Sequence, residues 1–490
     1  MHIKKLLFVF LILASCSTKK TELLWGNPLD QIGSQSSPKA IDINQDGVLD
    51  IVIGAGRNEY QSSDKGVIAL DGKTGEILWQ HESIDQVYGS ATLLDITGDG
   101  IQDVFIGGRS NQFYAINGSN GENIWKWNYT YEHDSKLKYA KYNFHNAVLV
   151  PDQTNDQLED LLVVCGGNSK ADPNSKNNRF SGLLMLLNSK NGEVIAVDTM
   201  PDGLESYMPP LFIKDNQSII FGTGGETING KLYQTTLSAL KAGDISKAKV
   251  LTEDSSGHGF IAPCVAVDLN MDGVLDIAAI SHGSNMYAID GKTSKTLWHT
   301  NIPETESSNG FAVGFFNEDK TPDLFTFVSK GVWPQSTGSV QILLDGKTGK
   351  KIYSNSLGCT GFSSPVVYDL NHDGVDEAII SINEYDCAAG FTSNSKLDIS
   401  TRLLAIDFRN NRIQTIDQQQ RFKNIFSTPY IGDMDDDGYL DIVHCQYFCP
   451  NSILLSFMGM KVKRISTSIK MRNDVKWGAY MGSDGSGVFR

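Results

Sequence analysis

Short apolar runs of four or five residues recur along the whole chain, as at residues 51–54, 104–107 and 277–280. Glycine and acidic residues flank these runs. Runs of this length between turn residues predict buried β-strands. We therefore expect an all-β protein made of many short strands.

A nine-residue acidic segment precedes most of these runs, and we call these segments the acidic loops. In the first, residues 42–50, side-chain oxygens stand at positions 1, 3, 5 and 9, a backbone carbonyl at position 7 and Gly47 at position 6. Calcium loops use oxygens at such positions and need a glycine where the chain turns sharply. We therefore predict that the acidic loops bind about five to seven Ca²⁺ ions.

Seven acidic loops begin at residues 42, 95, 152, 268, 315, 369 and 433. Two of them are incomplete, because Gln157 replaces the glycine of one, and Phe315 and Lys320 replace the first ligand and the glycine of another. The predicted calcium ligands are Asp42, Asn44, Asp46, Val48, Asp50, Asp95, Thr97, Asp99, Ile101, Asp103, Asp152, Thr154, Asp156, Asp160, Asp268, Asn270, Asp272, Val274, Asp276, Asp369, Asn371, Asp373, Val375, Glu377, Asp433, Asp435, Asp437, Tyr439 and Asp441.

A second motif follows each acidic loop, and we call its centre the glycine turn. Its first copy, residues 69–79, contains Asp71, Gly72, Thr74 and Gly75 and ends at Trp79; weaker copies lie at 115–125, 185–195, 288–298, 343–353 and 405–414. Each unit thus predicts four strands joined by an acidic loop, a variable loop and a glycine turn, which is typical of a propeller blade. Residues 209–222, in the long gap between the loops at 152 and 268, form a degenerate copy. We predict a single eight-bladed β-propeller of four-stranded blades, with seven blades as the alternative.

The acidic loop with its apolar run resembles the FG-GAP or VCBS repeat of integrin-like propellers. The motif that ends in Trp79 resembles the blade motif of quinoprotein (PQQ-like) propellers. Together the resemblances cover roughly residues 30–460. They imply the fold but not the function, because propellers carry unrelated activities.

The amino terminus predicts export and a lipid anchor. Lys4 and Lys5 precede an apolar run at residues 6–13 that is too short to span a membrane. Residues 13–16 resemble a bacterial lipobox, which implies cleavage and lipid modification at Cys16; an ordinary cleaved signal is the alternative. We expect a signal peptide at 1–15, a lipidated tether at 16–21 and the propeller at 22–490, with the chain held at the outer membrane, on its periplasmic side or at the cell surface.

Residues 21–25 resemble the fourth strand of a blade although no blade precedes them. We expect this strand to pair into the last blade and close the ring, because an open sheet edge invites unwanted pairing. We expect the segment 477–482 to pack near that closure. Disulfides are permitted in an exported chain, and Cys387 could pair with Cys445 or Cys449, but sequence alone leaves the connectivity open.

The formal net charge of −15 predicts an acidic surface that repels nucleic acid. Strand parity places the acidic loops and glycine turns on one face, the acidic-loop face, and the irregular insertions on the other, the variable face. Recognition is expected on the variable face, because loops on a rigid scaffold usually bind. Candidate partner-binding residues at the channel mouth or on the variable face are Tyr88, His145, Phe260, Phe362, Phe426, Arg57, Arg109, Trp333 and Tyr385.

Two alternatives to direct binding stay open for these residues. The aromatic residues could be wedges between blades, and His145 and the nearby His258 lack metal-ligand spacing, so a structural role is expected for both histidines.

We expect a monomeric, non-enzymatic binding or scaffold protein for a protein or glycan partner, attached to the membrane through its lipid only. The alternatives are a calcium-dependent polysaccharide lyase or other carbohydrate-active propeller enzyme, and a propeller like the outer-membrane protein assembly factors, a family that lacks calcium loops. A quinoprotein dehydrogenase is less well supported, because the chain has no adjacent pair of cysteines. A serine hydrolase has no supporting Gly-x-Ser-x-Gly motif.

Overall fold

A computed structural model describes residues 19–127, 142–168, 171, 177, 179–332, 335–388, 398–449 and 456–490. Their strands form eight antiparallel sheets, of which six have four strands, one has five and one has six. The sheets are the blades of an eight-bladed β-propeller, as predicted. Within these residues, helical structure is limited to α1 (Leu237–Lys241) and a 3₁₀ turn (Ile245–Lys247). No helix among them is long and apolar enough to cross a membrane.

The blades follow chain order, and the amino-terminal strands β1 (Glu22–Trp25) and β2 (Pro28–Asp30) join the last one. Blades 1 to 4 consist of β3 (Lys39–Ile41), β4 (Asp50–Gly54), β5 (Ser63–Leu70) and β6 (Ile77–Ser83); β7 (Thr92–Leu94), β8 (Asp103–Gly107), β9 (Phe113–Ile116) and β10 (Asn123–Lys126); β11 (Val148–Val150), β12 (Asp160–Cys165), β13 (Leu183–Leu187) and β14 (Val194–Thr199); and β15 (Leu211–Ile213), β16 (Ser218–Gly222), β17 (Gly230–Thr236) and β18 (Lys249–Asp254).

Blades 5 to 8 continue around the ring. They consist of β19 (Val265–Val267), β20 (Asp276–Ile280), β21 (Asn285–Ile289) and β22 (Thr296–Asn301); β23 (Thr305–Glu306), β24 (Ala312–Gly314), β25 (Asp323–Val332), β26 (Gln335–Leu344) and β27 (Lys351–Asn355); β28 (Val366–Tyr368), β29 (Glu377–Glu384), β30 (Ser400–Asp407) and β31 (Arg412–Gln420); and β32 (Phe422–Lys423), β33 (Tyr430–Gly432), β34 (Tyr439–Phe448) and β35 (Gly459–Lys470).

Burial explains the sequence pattern of the strands. Every residue of β4, β8 and β20 is buried, because the second strand of a blade is covered by neighbouring blades on both sides. Outer strands such as β6 alternate between buried and exposed positions, because one side meets solvent. The short continuous apolar runs therefore mark the second strands.

The amino-terminal strand closes the ring as predicted. Strand β1 pairs antiparallel with β35, with Leu23 opposite Ile465 and Trp25 opposite Arg464. Strand β2 extends the pairing, with Pro28 opposite Lys461. These pairs cover the edge of β35 that would otherwise be open.

A tryptophan at the end of a blade locks it to the glycine turn of the next. The indole Nε1 of Trp25 donates to the carbonyl oxygen of Gly72 at 2.8 Å. Gly75 has φ +70, and a Cβ there would lie 2.6 Å from the Trp25 ring, so this position needs glycine. The same bond, at 2.8 Å, joins Trp79 to Gly118, Trp125 to Ser189 and Trp298 to Gly346. These tryptophans therefore hold each blade to the next one around the ring.

The carboxy-terminal tail, residues 471–490, crosses the channel and also packs on the closing blade, because the carbonyl oxygen of Gly478 accepts from Ile431 N of blade 8 at 2.7 Å. The carbonyl oxygen of Trp477 accepts from Val367 N at 2.9 Å, and that of Gly487 accepts from Ala266 N at 2.8 Å. These partners lie on the first strands of blades 7 and 5. The tail therefore crosses the channel near the acidic-loop face, where Arg490 pairs with Asp215 at 2.8 Å.

The disulfide differs from the suggested pairing. Cys359 bonds to Cys387 with a Cα–Cα distance of 5.2 Å, whereas Cys445 and Cys449 are buried and form no disulfide within the described part of the chain. Cys359 precedes the first strand of blade 7, and Cys387 follows its second strand, so both reach the variable face together. Cys445 instead points into the core between blades 8 and 1.

Candidate functional site

The acidic loops share one conformation that turns their oxygens inward. In loop 42–50, the Asp42 carboxylate accepts from Asp46 N and Gly47 N at 3.1 Å, and Asp46 accepts from Val48 N at 2.9 Å. The fourth and sixth positions have positive φ, +58 at Gln45 and +82 at Gly47. The loops at 95, 152, 268, 369 and 433 repeat this pair, and even Gln157 adopts φ +73 in place of glycine. The loop at 315 has no positive-φ residue, in keeping with its lost ligands.

In five of the acidic loops, the ninth position links the loop to the glycine turn. Asp50 is fully buried, and its carboxylate accepts from Ile43 N at 2.9 Å and from Gly72 N at 2.7 Å. Burial raises the pKa of Asp50, and it raises the pKa of Glu377 in the loop at 369 to about 8. These carboxylates therefore hold the blade together in addition to the ligand role predicted for them.

Among the described residues, two acidic loops each contribute to a group of three carboxylates. Within each group, one oxygen atom from every carboxylate lies within 4.8 Å of the other two. One group is Asp433, Asp435 and Asp437; the other joins Asp373 and Glu377 to Asp407 of the glycine turn. The sequence did not indicate that a glycine-turn aspartate would approach the loop. The hard oxygen donors suit Ca²⁺, and Asp369, Asn371 and Asp373 would hold it in the loop at 369. Calcium binding stays a prediction.

A buried arginine pairs with two predicted calcium ligands of the last acidic loop. The Arg464 Nη2 atom lies 2.7 Å from both Asp435 and Asp441, which are the third and ninth positions of the loop. The Arg464 side chain is 2 % exposed. Because the guanidinium pairs with two of the predicted ligands and offsets one of their negative charges, we expect this loop to need a cation less than the others do.

A second candidate site is a cavity of about 1040 Å³ that opens on the variable face. Five residues expected at the channel mouth or on the variable face line it: Tyr88, Arg109, His145, Phe362 and Phe426. Tyr480 of the carboxy-terminal tail lines both this cavity and a second one on the acidic-loop side. The tail thus turns an open channel into a blind cavity.

Aromatic rings form much of the cavity wall. The rings of Tyr88 and His145 have centroids 5.5 Å apart, His145 meets Tyr207 edge-on at 5.8 Å, and Phe362 stacks on Phe426 at 5.7 Å. Burial, and secondly the charge of Arg109, lower the pKa of His145 to about 3. His145 is therefore neutral at physiological pH and acts here as a polar ring.

Two ion pairs and the carboxylate of Glu226 carry the charges at the cavity. Arg109 contacts Glu59 at 2.7 Å, and Arg179 contacts Glu205 at 3.0 Å and the Tyr207 hydroxyl at 3.3 Å. Burial raises the pKa of Glu205, an effect that the nearby Arg179 partly offsets. The wall therefore offers both donors and acceptors, and the carboxylate of Glu226 adds one negative charge beyond the two pairs.

Not every predicted contact residue reaches the cavity. Phe260 is fully buried and packs on Gly222, where a Cβ would lie 2.6 Å from its own Cβ, so it belongs to the core. Arg57 is exposed beside the cavity, and the Tyr385 hydroxyl donates to the carbonyl oxygen of Ser336 at 3.1 Å outside it. Trp333 lies outside the described residues.

Three residues of the cavity, Arg179, Glu205 and Tyr207, were not predicted from the sequence. Arg179 lies in an insertion that varies between blades, so no repeat register pointed to it. Glu205 and Tyr207 precede the first strand of blade 4 much as Tyr88 precedes that of blade 2. The degenerate acidic loop of blade 4 concealed this equivalence.

Comparisons with known proteins agree with the fold. Residues 16–148 match the family described as outer membrane protein assembly factor BamB. No curated protein sequence matches the chain.

Similar solved structures include BamB from Moraxella catarrhalis (TM-score 0.50, 12% identity, 91% of this chain and 99% of that one). A quinohemoprotein alcohol dehydrogenase from Pseudomonas putida HK5 has TM-score 0.58 and 10% identity, with 92% and 77% covered. Rhamnogalacturonan lyase YesW has TM-score 0.50 and 13% identity, with 94% and 76% covered. The chain is an eight-bladed β-propeller that resembles PQQ-like propellers, and at these identities the structural likeness extends to the fold alone.

Proposed function

We propose that the chain is a calcium-stabilised, lipid-anchored propeller of the bacterial cell envelope that binds a glycan or a short protein segment in the blind cavity. The observation that carries this proposal is the cavity itself, with its aromatic wall and paired charges. Its volume of about 1040 Å³ lies at the upper end for small-molecule sites. It suits a few sugar units or a short peptide, and it is too small for a folded domain.

The charges in the cavity favour a hydroxyl-rich, uncharged ligand. Arg109 and Arg179 each already hold a carboxylate, so an anionic ligand would have to displace Glu59 or Glu205. Sugar hydroxyls can donate to those carboxylates and accept from the arginines without breaking either pair. Aromatic faces such as that of Phe426 supply apolar contact beside these polar groups. A glycan is therefore the ligand that the wall fits best.

A second candidate is a role in outer-membrane protein assembly, in which the variable face would dock a protein segment. The match of residues 16–148 to the assembly-factor family supports this candidate. The predicted lipid anchor at Cys16 agrees with a place at the outer membrane. A carbohydrate-active enzyme would use the same cavity and would be recognised by product formation.

Binding to arrayed bacterial and plant oligosaccharides tests the proposal. Phe426→Ala should weaken glycan binding by at least about tenfold, because interface energy is concentrated in a few aromatic and arginine residues. Tyr439→Ala is the matched control, since Tyr439 is also a half-buried aromatic residue of blade 8 but belongs to an acidic loop. It should bind normally.

Each other outcome has a defined meaning. Absence of glycan binding, together with capture of an outer-membrane protein segment that Phe426→Ala abolishes, favours the assembly role. Appearance of unsaturated sugar products identifies a lyase. Normal binding by Phe426→Ala with lost binding by Tyr439→Ala contradicts recognition in the cavity.

A further inference from the structure

Two histidines and a glutamate converge beside the cavity, although they are far apart in sequence. His258 precedes blade 5, His282 follows its second strand β20, and Glu306 lies on β23 of blade 6. One ligand atom from each lies within 4.8 Å of the others. The His282 Nε2 atom is 3.5 Å from a carboxylate oxygen of Glu306. Sequence spacing gave no sign of this group, because three separate segments contribute to it.

Backbone carbonyl groups fix the orientation of both rings. The Nδ1 atom of His258 lies 2.7 Å from the carbonyl oxygen of Glu226, and that of His282 lies 3.1 Å from the carbonyl oxygen of Ser307. A carbonyl oxygen can only accept, so each Nδ1 carries the proton and donates it. A ring that carries its proton on Nδ1 alone keeps a lone pair on Nε2, which is the arrangement of metal-binding histidines.

No donor within the described part of the chain reaches the Nε2 atom of His282. Its side chain is 1 % exposed, and among the described residues its Nε2 atom has no hydrogen-bond partner. Instead it faces Glu306, which is also acceptor-only when ionised. A buried lone pair facing a carboxylate is unfavourable unless a proton or a metal cation lies between them, and either would bring the two side chains together.

The spacing fits a metal ion. Ligands of a tetrahedral zinc-type site lie about 2.0–2.1 Å from the metal and therefore roughly 3.3 Å from one another. The His282–Glu306 separation of 3.5 Å is close to that value. Two imidazoles and one carboxylate suit Zn²⁺, Fe²⁺ or Co²⁺, whereas Ca²⁺ prefers oxygen ligands only.

The scaffold around the group is already rigid. His282 N donates to the carbonyl oxygen of Gly259, and Ser307 N donates to that of His282, both at 2.8 Å. These bonds tie together the three segments that carry the ligands. Gly283 leaves room for the His258 ring, because a Cβ at this position would lie 2.7 Å from its Cδ2 atom.

We propose that His258, His282 and Glu306 bind one divalent transition-metal ion of the zinc type. Three protein ligands leave the fourth coordination position of the metal open, as in zinc sites that bind a water molecule or a substrate there. His282 and Ser308 line the cavity, so this open position lies at the cavity wall. The proposal stands on metal binding alone and is independent of what the cavity recognises.

Titration with Co²⁺ tests the site, using the purified chain without a polyhistidine tag and with saturating Ca²⁺ to fill the acidic loops. One equivalent of Co²⁺ should bind and develop the visible absorption of a four- or five-coordinate nitrogen-ligated ion, and Zn²⁺ should displace it. Glu306→Gln and His258→Gln should each weaken binding at least about 100-fold, the upper end for loss of an outer-shell partner. Gly283→Ala should weaken it about 10- to 100-fold by displacing His258.

His299→Gln is the matched control, because its Nε2 atom already contacts Asn285 Oδ1 at 3.0 Å on the protein surface. It should bind Co²⁺ as the wild type does. His282 is fully buried, so the partly exposed His258 provides a variant that keeps the test valid if a His282 variant does not fold. Absence of the visible band, or an unchanged Co²⁺ affinity in Glu306→Gln, overturns the proposal and leaves a His282–Glu306 ion pair as the explanation.

Discussion

Trp25 is predicted to hold the ring closed, and its removal should open the seam between blades 8 and 1. The side chain is 6 % exposed, and truncation of a tryptophan buried to this degree costs about 3–5 kcal/mol. Trp25→Phe keeps most of the buried area but loses the 2.8 Å bond to Gly72, which contributes about 0.5–1.5 kcal/mol.

These free energies convert to modest shifts of the melting temperature. At about 2.1 cal/mol/K per residue, unfolding of a 490-residue chain has an entropy of roughly 1 kcal/mol/K. Trp25→Ala should therefore lower Tm by about 3–5 °C and Trp25→Phe by about 1 °C. A ring this large can unfold in stages, so amide hydrogen exchange is the more informative assay. The amides of β35 opposite β1, near Ile465, should lose protection in Trp25→Ala.

Two control variants distinguish opening of the seam between blades 8 and 1 from a general loss of core packing. Leu24→Ala, next to Trp25 but 41% exposed, should change Tm by less than about 1 °C. Trp298→Ala removes the equivalent lock between blades 5 and 6, so it should lower Tm comparably without exposing β35. If Trp25→Ala is as stable as Leu24→Ala and β35 stays protected, the assigned role of Trp25 in closure is wrong.

Three further outcomes are expected. Chelation of Ca²⁺ should lower Tm, because a ligand that binds only the folded state stabilises it, and Asp46→Ala should reproduce part of this loss; an unchanged melting curve in excess chelator would refute the calcium assignment. Fatty-acid labelling should mark the wild type but not Cys16→Ser, and equal labelling of both would exclude the lipid anchor. Burial lowers the pKa of Lys39 to about 8, and Asp484 of the carboxy-terminal tail partly opposes this shift. Competitive amine labelling should give that value, and truncation of the tail should return it towards about 10.4. Because the docked pKa lies below the undocked one, tail docking should strengthen as pH rises from about 8 to 10; weaker docking over that range would contradict the assignment.

The sequence was most informative where local rules repeat. Acidic loops need a turn at fixed positions, and second strands are buried on both sides, so their spacing predicted the blades. Trp25 and the residues before it resembled the segment that ends in Trp79 closely enough to indicate the closing strand. These features depend on contacts within a blade or between neighbouring blades, which a repeated motif can encode.

Features that depend on distant segments were not predictable in this way. The cavity combines Arg179 from an irregular insertion with Tyr480 from the carboxy-terminal tail, and no periodic signal connects them. His258 was expected to be structural, yet it lies beside His282 and Glu306 because three loops meet on the variable face. Phe260 matched the channel-mouth register but turned inward, because Gly222 left space for its ring.

The central claim is that recognition takes place in the blind cavity of the variable face. Amide hydrogen exchange with and without the captured glycan or protein segment would locate the contact surface directly. Our account predicts new protection around Glu59, Tyr88 and Tyr207, with the acidic loops unchanged at saturating Ca²⁺. Protection confined to the acidic loops and glycine turns, with none at the cavity, would contradict it.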